Sequence, residues 1–176
     1  MNATTSAIVE KANKIMRMYG TRDPHKIAEE LGIEVMYHPF KEQRGAYKVI
    51  LRNRFIFIKD DLDPIMENIV LLHEIGHDIL HRKEATENGG FKEFNIFNIR
   101  DSRMEYEANV FATQIALPDD DFLELCEMGY DIQQIACALK TDVNLAALKA
   151  DTLISQGYRL RPQEHRNDFL KYSNKL

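Results

Sequence analysis

His73-Glu74-Ile75-Gly76-His77 is the stretch of sequence from which the interpretation of this chain starts. If residues 64–81 form a helix, the imidazoles of His73 and His77 are four positions apart and lie on one face, about one turn from each other. Two imidazoles in this arrangement can bind one metal ion, and Glu74 then stands beside the ion, where it can act as a general base. The stretch therefore predicts a catalytic zinc site.

The residues before the motif carry the signals of a helix start. Asp63 fits the N-cap position and Pro64 the first helical position. The two histidines share a stripe of 3.6-residue spacing with apolar side chains, namely Met66, Ile69, Val70 and Leu80. The alternative is a pair of core histidines, which would cost desolvation twice and require two buried partners. We therefore favour a metal site.

Composition places the chain among ordinary globular proteins. Its 176 residues, 44% hydrophobic and 29% charged, suit one domain or a domain with a small appendage. The net charge of −5 argues against a general binder of polyanions. No apolar run reaches membrane-spanning length and no secretory signal is present, so we expect a cytoplasmic protein. Cys126 and Cys137 fall in predicted helices, and we expect neither a disulfide nor a second zinc site.

Periodicity and turn residues predict an α+β fold, mainly helical with a small sheet. Besides the motif helix, we expect helices near residues 4–19, 23–32, 102–116, 119–128, 131–140 and 144–156. Strands are expected at residues 33–37, 46–51 and 54–58, the last two forming a hairpin around Arg52-Asn53. Residues 82–100 are predicted to form an apolar irregular loop, which either covers the substrate or packs its aromatic side chains onto the core.

A catalytic zinc site requires a third protein ligand, and we assign it to Glu105 on the helix at 102–116. Glu105 shares a stripe with Ala108, Ala112 and Ile115, whose small members would allow close packing against the motif helix. Glu107 faces another side, because positions i and i+2 do not share a helix face. The alternative is that Ser102-Arg103-Met104-Glu105 forms a capping box, in which Glu105 satisfies only a backbone N–H.

Further polar residues near the motif are candidates for supporting roles. Asn109 lies one turn beyond Glu105, where its amide oxygen could accept the free ring N–H of a metal-bound histidine. His81, Tyr106 and Tyr47 are candidates to stabilise an oxyanion. For each of these three taken singly, an ordinary structural role is the stronger alternative.

Residues 132–148 predict two short helices joined by a tight turn, a spacing similar to a helix-turn-helix unit. A reader of DNA would display Arg, Lys, Asn or Gln on the second helix, and this one offers Asn144 and Lys149 among alanines and leucines. We therefore favour a packing role, expect no direct binding of nucleic acid, and leave binding of a protein partner open.

Two segments taken together resemble the ImmA/IrrE family of zinc metallopeptidases: His73-Glu74-Ile75-Gly76-His77-Asp78-Ile79-Leu80-His81 and Glu105-Tyr106-Glu107-Ala108-Asn109-Val110-Phe111-Ala112. The segment at 26–33 and Leu117-Pro118 are also similar to that family. The resemblance implies a minimal zincin-like domain over residues 1–118, a helical, helix-turn-helix-like part at 119–158 and a tail at 159–176. It also implies Zn²⁺ held by three ligands with one general base, namely His73, His77 and Glu105 with Glu74.

The resemblance further implies a function. It indicates a zinc-dependent endopeptidase that cleaves a regulatory protein, a helix-turn-helix repressor of a mobile element, a phage or a stress response. Two alternatives stay open, a non-proteolytic anti-repressor or toxin-like binding protein with a structural metal, and a zinc hydrolase of small amides. Glu74 favours an enzyme, since a purely structural metal site does not need a general base.

Overall fold

The structure is a computed structural model that describes residues 3–87 and 102–160. Seven α-helices lie in these residues: α1 Ala3–Tyr19, α2 Pro24–Leu31, α3 Pro64–Glu87, α4 Ser102–Ala116, α5 Asp119–Glu127, α6 Ile132–Ala138 and α7 Val143–Ser155. Three strands form one sheet: β1 Ile33–His38, β2 Gly45–Ile50 and β3 Asn53–Lys59. The fold is α+β and mainly helical, as predicted. Most of the predicted loop, at 88–100, and the tail beyond residue 160 lie outside the described residues.

The sheet has the order β1-β3-β2, with β1 parallel and β2 antiparallel to β3. The prediction that the hairpin turns at Arg52-Asn53 is wrong by one residue. Leu51 and Arg52 are the turn residues, with φ angles of 49° and 68°, and Asn53 already pairs with Ile50. Positive φ at both central residues matches the right-handed twist of the two strands, which explains this choice of turn.

The start of α3 is fixed by its cap. The Asp63 carboxylate accepts the backbone N–H groups of Ile65 and Met66, each at 3.0 Å, in the N-cap role predicted for it. From there the helix enters the core, and residues 69–78 are all buried. The motif at residues 73–77 therefore lies in the part of α3 that is most enclosed by protein.

Helix α3 is longer than predicted and is interrupted once. It continues through residues 82–87, which we had placed in the loop, so this part of the loop prediction is wrong. At His81 the backbone leaves helical geometry, with φ −127° and ψ 18°. The end of the predicted helix at residue 81 thus coincides with a kink, after which a further helical segment follows.

Helix α4 packs closely on α3 at a glycine. A Cβ atom on Gly76 would lie 3.2 Å from both the Cα atom and the carbonyl oxygen of Ala108, so the two backbones nearly touch. Ala108 and Ala112 are both fully buried. Ala108, one of the small residues predicted to allow close packing, is therefore found at the contact, and Glu105 lies one turn before it on α4.

The C-terminal helices pack against α4 through α7. Leu145 and Leu148 of α7 belong to the same hydrophobic core as the buried residues of α3 and α4. Lys149 is fully buried, and its ammonium group pairs with Asp119 and donates a hydrogen bond to Gln114 at 2.9 Å. The charged group of Lys149 is therefore paired inside the protein and is not exposed on the surface of α7. Of the helices that the structure describes, none combines the length and the apolar character needed to cross a bilayer.

Candidate metal centre

Three side chains from two helices meet at the contact between α3 and α4. One ligand atom from each of His73, His77 and Glu105 lies within 4.8 Å of the other two. The Nε2 atoms of the histidines are 3.1 Å apart, and the Glu105 oxygens lie 3.4 Å from Nε2 of His73 and 3.5 Å from Nε2 of His77. All three side chains are buried. The structure thus brings together the residues that the sequence predicts as metal ligands.

The orientation of His73 is set by a partner on α4. Its Nδ1 atom lies 2.8 Å from Oδ1 of Asn109, which is fully buried. An amide oxygen only accepts hydrogen bonds, so Nδ1 of His73 carries the proton and donates it. Nε2 of the same ring therefore faces His77 and Glu105. This contact is the one that the sequence predicts for Asn109.

On the other side of the group, His77 contacts His81. The Nδ1 atoms of the two rings are 3.1 Å apart, and Nε2 of His81 lies 3.0 Å from Oε2 of Glu107. Arg103 donates a hydrogen bond from Nε to Oε1 of Glu107 at 2.7 Å. Glu107 therefore contacts a different histidine from those that Glu105 approaches, consistent with their positions on different sides of α4.

Glu74 follows His73 in α3 and is buried against β2, where its carboxylate lies beside Gly45. The backbone N–H of Tyr47 donates to its carboxylate, while Oε2 is buried and has no hydrogen-bond partner in residues 3–87 and 102–160. Burial raises the pKa of Glu74 to about 7; nearby His73 lowers this pKa and Glu105 raises it. A carboxylate with a free oxygen and a pKa near neutrality can accept a proton at physiological pH.

The charges of the group depend on one another. Burial of Glu105 raises its pKa, but the nearby imidazoles of His73 and His77 lower it by a larger amount, so that the pKa lies well below the ordinary value. Burial lowers the pKa of His73, and the Glu105 carboxylate more than reverses this effect. Burial also lowers the pKa of His77, to about 4. In the protein without a metal, Glu105 is thus ionised and favours the protonated form of His73, but not of His77.

The donor set fits a metal ion of the zinc type. Two imidazole nitrogens and one carboxylate oxygen are the ligands found in catalytic zinc sites, where the fourth position is left for water. Oε1 of Glu105 is buried and has no hydrogen-bond partner in the described part of the chain. An unpaired buried carboxylate oxygen is costly, and a bound cation would satisfy it. The residues present therefore fit a metal ion.

Tyr47, His81 and Tyr106, the three candidates for an oxyanion donor, make other contacts in the structure. The hydroxyl of Tyr47 donates to Oδ1 of Asp78 at 2.6 Å, and burial together with this bond raises its pKa. His81 contacts His77 and Glu107, and Tyr106 is half-buried against the core. These contacts favour the structural alternative for Tyr47 and His81, and a role in stabilising an oxyanion stays a prediction.

Asp78 is a residue whose contacts the sequence analysis missed. Its side chain is fully buried and accepts hydrogen bonds from the Tyr47 hydroxyl, from Arg54 at 3.0 Å and from Arg82 at 2.6 Å and 3.0 Å. The one signal in the sequence was the spacing of four between Asp78 and Arg82. That spacing is common on exposed helices and gives no indication of burial.

Comparison with known proteins gives the class of this centre. Residues 28–150 match the peptidase M78 family, described as the IrrE N-terminal-like domain. The uncharacterized immunity region protein 2 of Bacillus phage phi105 is 30% identical over 137 residues, which cover 77% of this chain and 84% of that protein. This chain belongs to the ImmA/IrrE family. The metallopeptidase ImmA of Bacillus subtilis (strain 168) is 24% identical over 157 residues, 87% of each chain.

Membership of the ImmA/IrrE family makes this chain one of a family of metallopeptidases. It implies a metal cofactor and a peptide or protein substrate. The group of His73, His77 and Glu105 is the set of His, Cys, Asp and Glu side chains in the described residues that could hold such a metal.

Proposed function

We propose that this ImmA/IrrE protein is a zinc-dependent endopeptidase that cleaves a regulatory protein, a helix-turn-helix transcriptional repressor of a mobile element, a phage or a stress response. In this proposal His73, His77 and Glu105 bind Zn²⁺, and Glu74 is the general base. The observation that carries the proposal is the convergence of three buried donors, His73, His77 and Glu105, with an unpaired oxygen on Glu105 and on the adjacent buried Glu74.

Each residue has a defined task in this reaction. His73 and His77 present nitrogens, and Glu105 presents an oxygen, to one point between α3 and α4. When bound, Zn²⁺ acidifies a water molecule and polarises the scissile carbonyl group. Glu74 takes a proton from the attacking water and delivers it to the departing amine. The backbone N–H of Tyr47 holds one side of the Glu74 carboxylate and leaves Oε2 for this exchange.

The choice of substrate rests on the relatives. One similar protein is named for a phage immunity region and another is the metallopeptidase ImmA. The family resemblance implies cleavage of a partner repressor, which releases silenced genes. A buried centre at the contact of two helices suits a peptidase of narrow substrate range, since only a segment that reaches it is cut.

We extend the proposal to the organisation of the chain. Residues 1–118 form the zincin-like peptidase part, 119–158 a helical part with a helix-turn-helix-like pair formed by α6 and α7, and 159–176 a tail. The packing of Leu145 and Leu148 into the main core supports a helical part that buttresses α4 and thereby Glu105. The burial of Lys149 supports a packing role for α7 rather than contact with DNA.

The test is to incubate the Zn²⁺-loaded protein with purified candidate helix-turn-helix repressors and to record intact masses. The proposal predicts two fragments whose masses sum to that of the repressor plus one water. A chelator abolishes the cleavage and added Zn²⁺ restores it. A repressor that leaves its DNA while its mass stays unchanged would contradict the proposal and favour a non-proteolytic binding protein.

A further inference from the structure

We propose that His81 and Glu107 are positioning residues that hold the imidazole of His77 in the orientation and tautomer required for binding the metal. The inference rests on the metal site of the proposed function. It extends that site to two side chains that are not among its ligands.

The contacts of His77 divide its two nitrogens. Nε2 faces the three-donor group and lies 3.1 Å from Nε2 of His73, while Nδ1 lies 3.1 Å from Nδ1 of His81. A neutral imidazole that binds a metal through Nε2 carries its proton on Nδ1. That proton must be donated, and the unprotonated Nδ1 of His81 is the acceptor that the structure provides.

The state of His81 is set in turn by Glu107. Nε2 of His81 lies 3.0 Å from Oε2 of Glu107. Because a carboxylate oxygen accepts the hydrogen bond, Nε2 of His81 is the atom that carries the proton, and its Nδ1 is left as an acceptor. His81 thus donates to Glu107, and His77 donates to His81. This arrangement leaves the lone pair on Nε2 of His77 directed at the metal position.

The far end of this chain is anchored at the surface. Arg103 donates from Nε to the second oxygen of Glu107 at 2.7 Å. The exposed fraction of the side chains falls from 75% at Arg103 to 12% at Glu107 and 8% at His81. Glu107 is thus held with one oxygen toward solvent-exposed Arg103 and the other toward buried His81.

The kink in α3 lies at the same residue. His81 is the one position in Pro64–Glu87 with non-helical backbone angles, φ −127° and ψ 18°. The departure changes the direction in which its side chain leaves the helix, and the ring lies with its centre 5.3 Å from that of His77. The kink in α3 and the hydrogen bonds to His77 and Glu107 therefore occur at the same residue, His81, whose buried imidazole lies beside the metal site.

The two metal-binding histidines are supported in different ways. His73 donates to the neutral amide of Asn109, whereas His77 donates to an imidazole that is itself bound to a carboxylate. Groups that accept the free N–H of a metal-bound histidine typically change metal affinity by about 10-fold to 100-fold when they are removed. We expect the same range for the loss of His81.

The experiment measures the dissociation constant for Zn²⁺ of the full-length protein by competition with a chromophoric chelator. His81→Leu removes the acceptor and raises the constant about 10-fold to 100-fold. His81→Asn, whose amide oxygen can accept near the position of Nδ1, recovers most of this loss. The matched control is His25→Leu, which removes another His–Glu contact, at 3.0 Å to Glu67, and leaves the constant unchanged.

Two further readouts separate positioning from general stability. The absorption spectrum of the Co²⁺-loaded protein shifts in His81→Leu and returns toward that of the parent protein in His81→Asn. Glu107→Ala, a change on the other helix, weakens Zn²⁺ binding about 10-fold, so the inference stays testable if His81→Leu does not fold.

The inference is overturned if His81→Leu or, where that variant does not fold, Glu107→Ala binds Zn²⁺ within about twofold of the parent protein. It is also overturned if the Asn and Leu variants of His81 lose affinity equally while the Co²⁺ spectrum stays unchanged. These results are independent of cleavage. A parent protein that binds Zn²⁺ but cuts no repressor would contradict the proposed function and leave the role of His81 standing.

Discussion

The carbonyl oxygen of Ala108 lies 3.2 Å from the point that a Cβ atom would occupy on Gly76. This approach is tighter than an ordinary van der Waals contact, so the absence of a side chain at Gly76 sets the distance between α3 and α4. Glu105 lies one turn before Ala108 on α4. The distance between these two helices therefore determines how far the carboxylate reaches toward His73 and His77.

Gly76→Ala is expected to weaken metal binding about 10-fold and to destabilise the protein by about 1–3 kcal/mol, because the added methyl group forces α4 away from α3. Zn²⁺ titration and urea denaturation measure the two effects. The control is Gly129→Ala, whose Cβ meets nothing within 4 Å but whose φ of +82° strains the backbone. That control should lose stability and keep its metal affinity, and equal affinities in both variants would contradict the account.

Glu74→Gln is expected to reduce the rate of cleavage at least about 100-fold while Zn²⁺ stays bound, because the general base is lost and the ligands remain. Elemental analysis of the purified variant measures bound zinc, and fragment accumulation measures the rate. Glu67→Gln is the matched control, since it neutralises another glutamate of α3, outside the metal site, and keeps an acceptor for the Tyr37 hydroxyl. Full activity of Glu74→Gln at intact zinc content would remove Glu74 from the mechanism.

The stability of the metal-free protein should depend on pH through Glu74. Burial raises its pKa from 4.5 to about 7. A pKa raised by folding contributes stability that is complete below pH 4.5 and is lost as the pH rises through 7. The parent protein should therefore lose stability relative to Glu74→Gln between about pH 5 and pH 8, by on the order of 3 kcal/mol.

Urea denaturation in the presence of a chelator measures this difference. The lowered pKa of His77 acts on stability at acid pH in both proteins and largely cancels from the comparison. A difference in unfolding free energy that stays constant from pH 5 to pH 8 would show that Glu74 does not titrate near neutrality.

Asp78→Ala is expected to cost about 3–5 kcal/mol of unfolding free energy, because it leaves the Tyr47 hydroxyl and the half-buried Arg54 without their buried partner. Arg82→Ala removes another member of the same network, but its side chain is 47% exposed, and the expected cost is below about 1 kcal/mol. Chemical denaturation compares the two. Equal losses would show that Asp78 is not the centre of the network.

Much of the helical framework could be predicted because its signals are local. Asp63 and Pro64 mark the start of α3, Gly32 ends α2, and Pro118 separates α4 from α5. Caps and proline act within one turn of the backbone, so they are visible in sequence. The spacing of His73 and His77 likewise depends only on helix geometry.

The features that were missed depend on tertiary contacts. The kink at His81 accompanies contacts with Glu107, which is 26 residues away in sequence. The network around Asp78 joins two strands to α3, and neither Arg54 nor Tyr47 carries a sequence signal for that contact. The turn at Leu51-Arg52 requires positive φ angles in residues that rarely adopt them, and sequence preference pointed to Asn53 instead.

Crystals of the Zn²⁺-loaded protein, with anomalous diffraction measured at the zinc edge, would test the central claim most directly. The account predicts one strong anomalous peak about 2.0–2.2 Å from Nε2 of His73, Nε2 of His77 and a carboxylate oxygen of Glu105. It also predicts that the remaining ligand is a water beside Glu74. A peak at another place in the protein, or a zinc ion whose ligands do not include Glu105, would contradict the account.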